Sequence, residues 1–343
     1  MPARQRAQLN LFGGPPTPVA SSRSGVAPVL APEELTVLAA SLPPDLHLGT
    51  SSWSFPGWAG IVYDQRYSQE RLARGGLEAY AQHPLLRSVG IDRSYYAPLR
   101  SDELQRYADA VPEGFRFLMK AHETLTMAYY PRHARYGARR GRPSEAFLDP
   151  GYATLQVVDP FIRVLGERAG PLLFQFAPQD VGGLGGPRHF AERLHRFLRA
   201  LPRGPLYAVE LRNAELMTAD YRDALADVGA AHCVNVYPGM PPPLVQAQRA
   251  AIAQAPALVV RWMLQPRLTY EQARAAFEPF DRLAQEDPFH RGQIADLVVD
   301  AARAGRPAYV IANNKAEGSS PLTLTRLAEA IVRRRAHPRG RPT

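Results

Sequence analysis

The sequence predicts an α/β protein of the (β/α)8 TIM-barrel class, built as a single domain, and three observations carry that expectation. Eight short apolar runs alternate with helical patterns, the signature of parallel strands joined by crossovers. The alternation occupies residues 46–335, about the length eight strand–helix units need. No glycine-rich dinucleotide fingerprint follows the first run, which leaves an open doubly wound sheet as the weaker alternative.

Taken in order, residues 1–45 read as a flexible Pro-rich tail. P-P-T-P, S-S-R-S-G and A-P-V-L-A-P interrupt any periodicity, and only P-E-E-L-T-V-L-A-A (32–40) has helical character. The first four expected strands are L-H-L-G-T-S-S-W (46–53), S-V-G-I-D-R-S-Y-Y (88–96), F-R-F-L-M-K-A-H (115–122) and L-L-F-Q-F (172–176). The last four are Y-A-V-E-L-R (207–212), H-C-V-N-V-Y (232–237), L-V-V-R-W-M (258–263) and A-Y-V-I-A-N-N (308–314). Helical spacing predicts helices over 77–81, 102–110, 189–201, 219–228, 270–277, 294–303 and 322–334. A basic tail over 336–343 ends the chain.

Composition excludes several classes. One cysteine, Cys233, rules out a disulfide framework and any cysteine-rich metal site, and fits a reducing compartment. No run of about 18 apolar residues predicts a membrane span, and no secretory signal is visible, so a cytoplasmic protein without a membrane partner is expected. The net charge of +9 is concentrated: residues 1–30, 132–142 and 333–343 hold 13 arginines and no acid. The remaining 28 basic residues face 32 acidic ones, so the body itself is slightly acidic. A genome-wide preference for arginine would also produce such runs, since only two of the 41 basic residues are lysines.

In a barrel, chemistry belongs at the C-terminal ends of the strands, and here those ends are polar. They carry Trp53; Asp92 and Tyr96; Lys120, His122 and Glu123; Glu210, Arg212 and Asn213; Arg261; and Asn313, Asn314 and Lys315. Glu210 and Arg212 are two residues apart on one strand and share a face, either as a self-satisfied polar plug or as part of a site. Both lysines of the chain, Lys120 and Lys315, fall at predicted strand ends. An ammonium can lose its proton or act as a compact phosphate ligand, as a guanidinium cannot. Lys120, Glu210 and Asp92 are the candidate catalytic residues. Arg212, Arg261, Asn313, Asn314, Trp53, Tyr96 and His122 are the candidate substrate-binding residues. Asp92, His122, Glu123 and Glu210 are too few for a multi-metal site; one divalent ion stays open, and no metal or cofactor is assigned.

Two basic or apolar segments point to partners. Tyr129 and Tyr130 precede R-H-A-R-Y-G-A-R-R-G-R (132–142), whose Arg132, Arg135, Arg139, Arg140 and Arg142 mix guanidinium groups with aromatic faces as nucleic-acid sites do. It begins about ten residues after His122, near enough to hang over the barrel mouth; an ordinary solvated loop is the alternative. In the tail, Gln8, Leu9, Leu11 and Phe12 form a Q-L-x-L-F pentapeptide similar to the motif that docks bacterial replication and repair proteins on the β sliding clamp. A segment that folds back onto the barrel is the alternative there.

The strand-end phrases resemble the YecE-like proteins, the family called domain of unknown function 72. G-T-S-S-W-S-F-P-G-W resembles their G-T-S-G-W opening, V-G-I-D-R-S-Y-Y their V-E-I-N-S-T-F-Y, Y-A-V-E-L-R-N their V-E-x-R-H, and V-I-A-N-N their terminal N-N. F-R-F-L-M-K-A-H is similar to their lysine-bearing third strand, and the match covers about residues 46–332. The resemblance implies a TIM barrel related to the endonuclease IV and xylose isomerase group, without an established activity. Gly90 stands where the family usually has Glu, Asp92 where it has Asn, and Asn213 where it has His. The expected function is binding or hydrolysis of a phosphate-bearing ligand, nucleic acid or nucleotide, in DNA metabolism. A non-catalytic clamp or nucleic-acid adaptor and a sugar-phosphate isomerase or lyase are the alternatives.

Overall fold

A computed structural model describes residues 25–337 and closes all eight strands into one parallel barrel in chain order. The strands are β1 (Leu46–Thr50), β2 (Leu86–Ile91), β3 (Arg116–Lys120), β4 (Ala169–Phe176), β5 (Leu206–Leu211), β6 (Ala231–Val236), β7 (Leu258–Trp262) and β8 (Ala308–Ala312). Each overlaps its predicted run. β1 closes the sheet on β8, from Leu46 opposite Ala308 to Thr50 opposite Ala312. Where β1 meets β2 the register shifts at Gly49, and a Cβ there would lie 2.2 Å from the Ser88 carbonyl oxygen. Only glycine admits that approach.

Strand parity divides the buried residues into two layers. Leu48, Val89, Met119, Phe174, Val209, Val260 and Val310 face outward against the helices. Leu118, Leu173, Ala208, Cys233, Val259 and Ile311 face inward and fill the lumen. The helices cover the outer layer by ordinary amphipathic spacing. Gly186–Ala200, for example, turns Phe190, Ala191, Leu194, Phe197 and Leu198 to the sheet, each buried Phe or Leu side chain contributing about 1.5–3 kcal/mol.

Two differences from the sequence expectations have physical causes. The packed body begins before residue 46. Helix Glu33–Ala40 lies against the last helix, Ser320–Ala336, Leu35, Leu38 and Leu42 reach the core, and the Val29 N–H donates to the Val62 carbonyl at 2.9 Å. The crossover between β3 and β4 is helical from Pro150 to Leu165, although Pro150, Gly151 and Pro160 erase the helical pattern in sequence. The turn widens to a π-helix over Thr154–Val158, just ahead of Pro160, which has no N–H to donate. Among the described residues no helix is long and apolar enough to cross a membrane.

Candidate functional site

Two residues beyond the apolar lumen layer, on the same face of each strand, stand Lys120, Gln175, Glu210, Asn235, Arg261 and Asn313. They form a polar ring at the C-terminal end of the barrel. Strand register sets Gln175 beside Glu210 and Asn235 beside Arg261.

An ion network runs through this ring. Glu210 is fully buried; Arg261 Nη1 lies 2.7 Å from its Oε2, and Arg212 Nη2 contacts its Oε1. Glu210 and Arg212 do pair, but not with each other alone, since Arg261 of β7 joins them. Arg261 Nη2 also donates to both Asp92 oxygens, at 3.0 and 3.1 Å, and Nη1 lies 3.3 Å from Gln175 Oε1. Burial would raise the Glu210 carboxyl, but Arg212 and Arg261 outweigh it and hold it below the usual range. Burial would likewise lower the Arg261 guanidinium, and Asp92 and Glu210 reverse that. Glu210 is thus ion-paired through both oxygens, to Arg261 with a hydrogen bond at Oε2 and to Arg212 at Oε1 without one.

Lys120 is different. It is 7% exposed, its ammonium sits 4.0 Å from the centre of the Tyr95 ring, and that ammonium makes no hydrogen bond or ion pair among the described residues. Burial lowers it to about 8, with Asp92 opposing the shift and Arg261 adding to it. Arg212 Nε and Nη1 and Arg261 Nε are buried without hydrogen-bond partners, against two such acceptors in the ring, Glu210 Oε1 and Asn235 Oδ1, while the Arg212 guanidinium lies 3.7 Å from the Tyr237 ring centre. The network therefore has donors to spare. Its three cations also exceed its two carboxylates, and a buried excess charge calls for a partner.

A cavity of about 570 Å³ opens beside this network, lined by Asp92, Asn313, Lys315 and Arg66 and walled by Phe55 and Phe280. Asn313 Nδ2 donates to Ser51 Oγ at 2.7 Å, and the Lys315 backbone N–H donates to Asn313 Oδ1 at 3.0 Å. The Lys315 ammonium lies 4.2 Å from the Tyr270 ring centre. Gly57, in F-P-G-W, lets the β1 loop seat against Pro279; a Cβ there would overlap the Pro279 carbonyl oxygen at 1.8 Å. A larger cavity of about 720 Å³ lies at the opposite end of the barrel, along Leu198–Tyr207 and Asp227–Gly229. It holds no part of the charged ring.

The structure gathers Lys120, Glu210, Asp92, Arg212, Arg261 and Asn313, and sets the other expected residues elsewhere. Asn314 turns into the wall, where its side-chain oxygen accepts from Trp58 Nε1 at 3.2 Å and from the Ser320 N–H and hydroxyl at 2.8 Å. Trp53 donates its indole N–H to the Leu72 carbonyl at 3.1 Å and is buried. Two-residue spacing would set Asp92, Ser94 and Tyr96 on one face, and Lys120 with His122, if their strands ran on, but β2 ends at Ile91 and β3 at Lys120. Beyond those points the chain is no longer extended and parity lapses. Ser94 instead pins the strand ends, donating to Ile91 and Lys120 carbonyls at 2.6 and 2.7 Å, and His122 Nδ1 meets the Tyr152 hydroxyl at 2.7 Å.

Residues 129–143 form an ordered hairpin at the rim, closed by Tyr130 N–H to Arg142 carbonyl at 2.9 Å and Gly141 N–H to Tyr130 carbonyl at 2.8 Å. Arg135 pairs with Glu123 and packs 4.9 Å from the Tyr96 ring centre, beside the C-terminal ends of β2 and β3. Arg132, Arg139, Arg140 and Arg142 are exposed. Gln8, Leu9, Leu11 and Phe12 lie outside the described residues. Among the described residues, no three His, Cys, Asp or Glu side chains gather as metal ligands would. Gln175 was missed in sequence; a lone polar residue within L-L-F-Q-F, in phase with Leu173, was the available signal.

The family model described as protein of unknown function DUF72 matches residues 47–343. A DUF72 family protein of Thermotoga maritima MSB8 superimposes with a TM-score of 0.58 at 19% identity, covering 83% of this chain and 98% of that one. One from Enterococcus faecalis V583 gives 0.55 at 17% identity, covering 83% and 95%. At these identities the solved structures establish the shared fold alone. No curated protein matches the sequence. The closed barrel, the ordered strand-end motifs and a family match running from residue 47 to residue 343 make this chain a member of the DUF72 family.

Proposed function

We propose that the barrel mouth binds a phosphate-bearing ligand, a nucleotide or the phosphodiester of a nucleic acid. One observation carries the reading: the Lys120 side chain is 7% exposed beside Tyr95, its ammonium has no acceptor of its own, and it is the one cation that the two carboxylates of the network leave unbalanced. A phosphate oxygen supplies both the missing acceptor and the missing negative charge. Lys120 and the spare donors of Arg212 would hold the anion. Lys315 and Asn313 would meet the ligand where it leaves the lumen for the cavity. Arg261 and Glu210 act as the frame that keeps these groups in place.

If the ligand is hydrolysed, Asp92 and Lys120 are the groups that would transfer the proton. Asp92 is the carboxylate of the network that lines the cavity, and Lys120, lowered to about 8, exchanges a proton near neutrality. Both phosphoester and glycosidic hydrolysis use such groups. The test is calorimetric titration of the full chain with inorganic pyrophosphate. Single-site binding that Lys120→Met abolishes is expected. No uptake by the wild type, or equal uptake by the variant, would remove the reading.

The tail pentapeptide Gln8–Phe12 would tether this activity to a β sliding clamp, a reading supported by its resemblance to clamp-docking motifs. A peptide of residues 1–20 is expected to bind the clamp with about micromolar affinity, near −8 kcal/mol, and to lose it when Leu11 and Phe12 become Ala.

A further inference from the structure

The lumen ammonium and the rim hairpin are joined by an unbroken series of cation and ring contacts. Lys120 sits 4.0 Å from the Tyr95 ring centre, Tyr95 meets Tyr96 edge-on at 5.5 Å, and Arg135 covers Tyr96 at 4.9 Å. Arg135 also covers Tyr136 at 4.5 Å, Tyr136 meets Tyr130 at 5.5 Å, and Arg139 covers Tyr130 at 4.7 Å. Each ring fixes a neighbouring cation, so these long side chains are ordered before any ligand arrives. The hairpin that carries the outer part is held by Tyr136, buried against Tyr130 and Met127.

The outer surface of this series is unlike an ordinary solvated loop. Between Arg132 and Arg142 there are five arginines and no acid. Among the described residues, the ion pair these arginines make is that of Arg135 with Glu123. Tyr96 and Tyr129 are large aromatics with 60% and 54% of their surface exposed. Exposed rings between unpaired guanidinium groups match an alternation of bases and phosphates. They match it only when the bases are free to stack, which a duplex does not allow.

We propose that the 129–143 hairpin and Tyr96 form a track for single-stranded nucleic acid that leads one phosphate of the strand to Lys120. Arg132, Arg139, Arg140 and Arg142 neutralise phosphates along the track, and Tyr129 and Tyr96 stack bases. This rests on the lumen as a phosphate site and names its substrate class: a strand or strand end, rather than a free nucleotide.

The experiment is fluorescence anisotropy of the full chain with a labelled oligothymidine of about 15 nucleotides, over a range of salt, beside the same pyrophosphate titration. Replacing Arg132, Arg140 and Arg142 together by Ala is expected to weaken strand binding about tenfold or more. The slope of log affinity against log salt should fall by roughly 2, since each phosphate contact contributes about 0.7. Pyrophosphate binding in the lumen should not change. Tyr129→Ala, which removes an exposed ring, should weaken the strand without altering the salt slope. Equal strand affinity in wild type and triple variant overturns the proposal, as does duplex binding as tight as single-strand binding. Binding to anionic lipid vesicles in place of the strand also overturns it. A wild type that takes pyrophosphate but no strand sinks the track and leaves the lumen reading standing; one that takes neither sinks both.

Discussion

Replacing Lys120 by Met should make the protein more stable, and the size of the gain follows from the burial of the ammonium. The folded chain holds the Lys120 proton less tightly than the unfolded chain, about 8 against 10.5. At pH 7 the side chain is charged in both states, so the folded state carries the whole cost, about 3 kcal/mol. The sign is that of a depressed cation. The cost is complete below the folded value and fades as pH rises toward the unfolded value, roughly halving by about pH 9.5. Methionine has similar length and no charge to desolvate. Its substitution gives up the contact with Tyr95, worth about 1 kcal/mol, leaving a net gain of about 2 kcal/mol at neutral pH. Urea unfolding of wild type and variant at pH 7 and about pH 9.5 measures it, and the difference between the two proteins cancels the alkaline titration of the buried tyrosines. A variant that is no more stable at pH 7, or a difference that does not shrink with pH, would refute the reasoning. A stability cost at this position is what the proposed ligand-binding role would entail.

Arg261→Met should act in the opposite direction, costing about 3–5 kcal/mol, because it strands the buried Glu210 carboxylate on one remaining partner and frees Asp92; denaturant midpoints check this. Asn314→Ala should cost about 1–3 kcal/mol in the same assay by removing the acceptor for Trp58 and Ser320, while pyrophosphate affinity stays within about twofold of wild type, as expected for a residue outside the ligand site. Arg135→Ala should loosen the rim hairpin by breaking its tie to Glu123, read as faster limited proteolysis between 131 and 142. Burial raises the Glu123 carboxyl and Arg135 opposes that rise, so the variant should also push this carboxyl further up, which its own titration would show.

Much of the site was legible because it depends on short-range order along single strands. Glu210 and Arg212 are neighbours on one face by the two-residue repeat, and that alone indicated their contact. Lys120 stood out because the chain uses arginine almost everywhere else. The adjacent pair Asn313 and Asn314 shows the limit of reading strand ends as a set. β8 ends at Ala312 and the chain turns at Asn314, so Asn313 meets Ser51 at the mouth while Asn314 is carried to the wall and the start of the last helix. Tyr96 and His122 lie past the last residue of β2 and β3, where the backbone turns, so strand parity says nothing of where they point.

The alternation of apolar runs and helical patterns, and the polarity at the end of each run, are local properties, and they were sufficient to determine a (β/α)8 barrel with a charged mouth. Which charges meet is not local. Arg261 lies 51 residues from Glu210 and 169 from Asp92 in sequence, and only closure of the sheet brings β7 across the lumen to both. The same closure leaves Lys120 with a ring for a neighbour and no acceptor. Sequence supplied the groups; the barrel's circumference and register decided which would be neutralised and which would not.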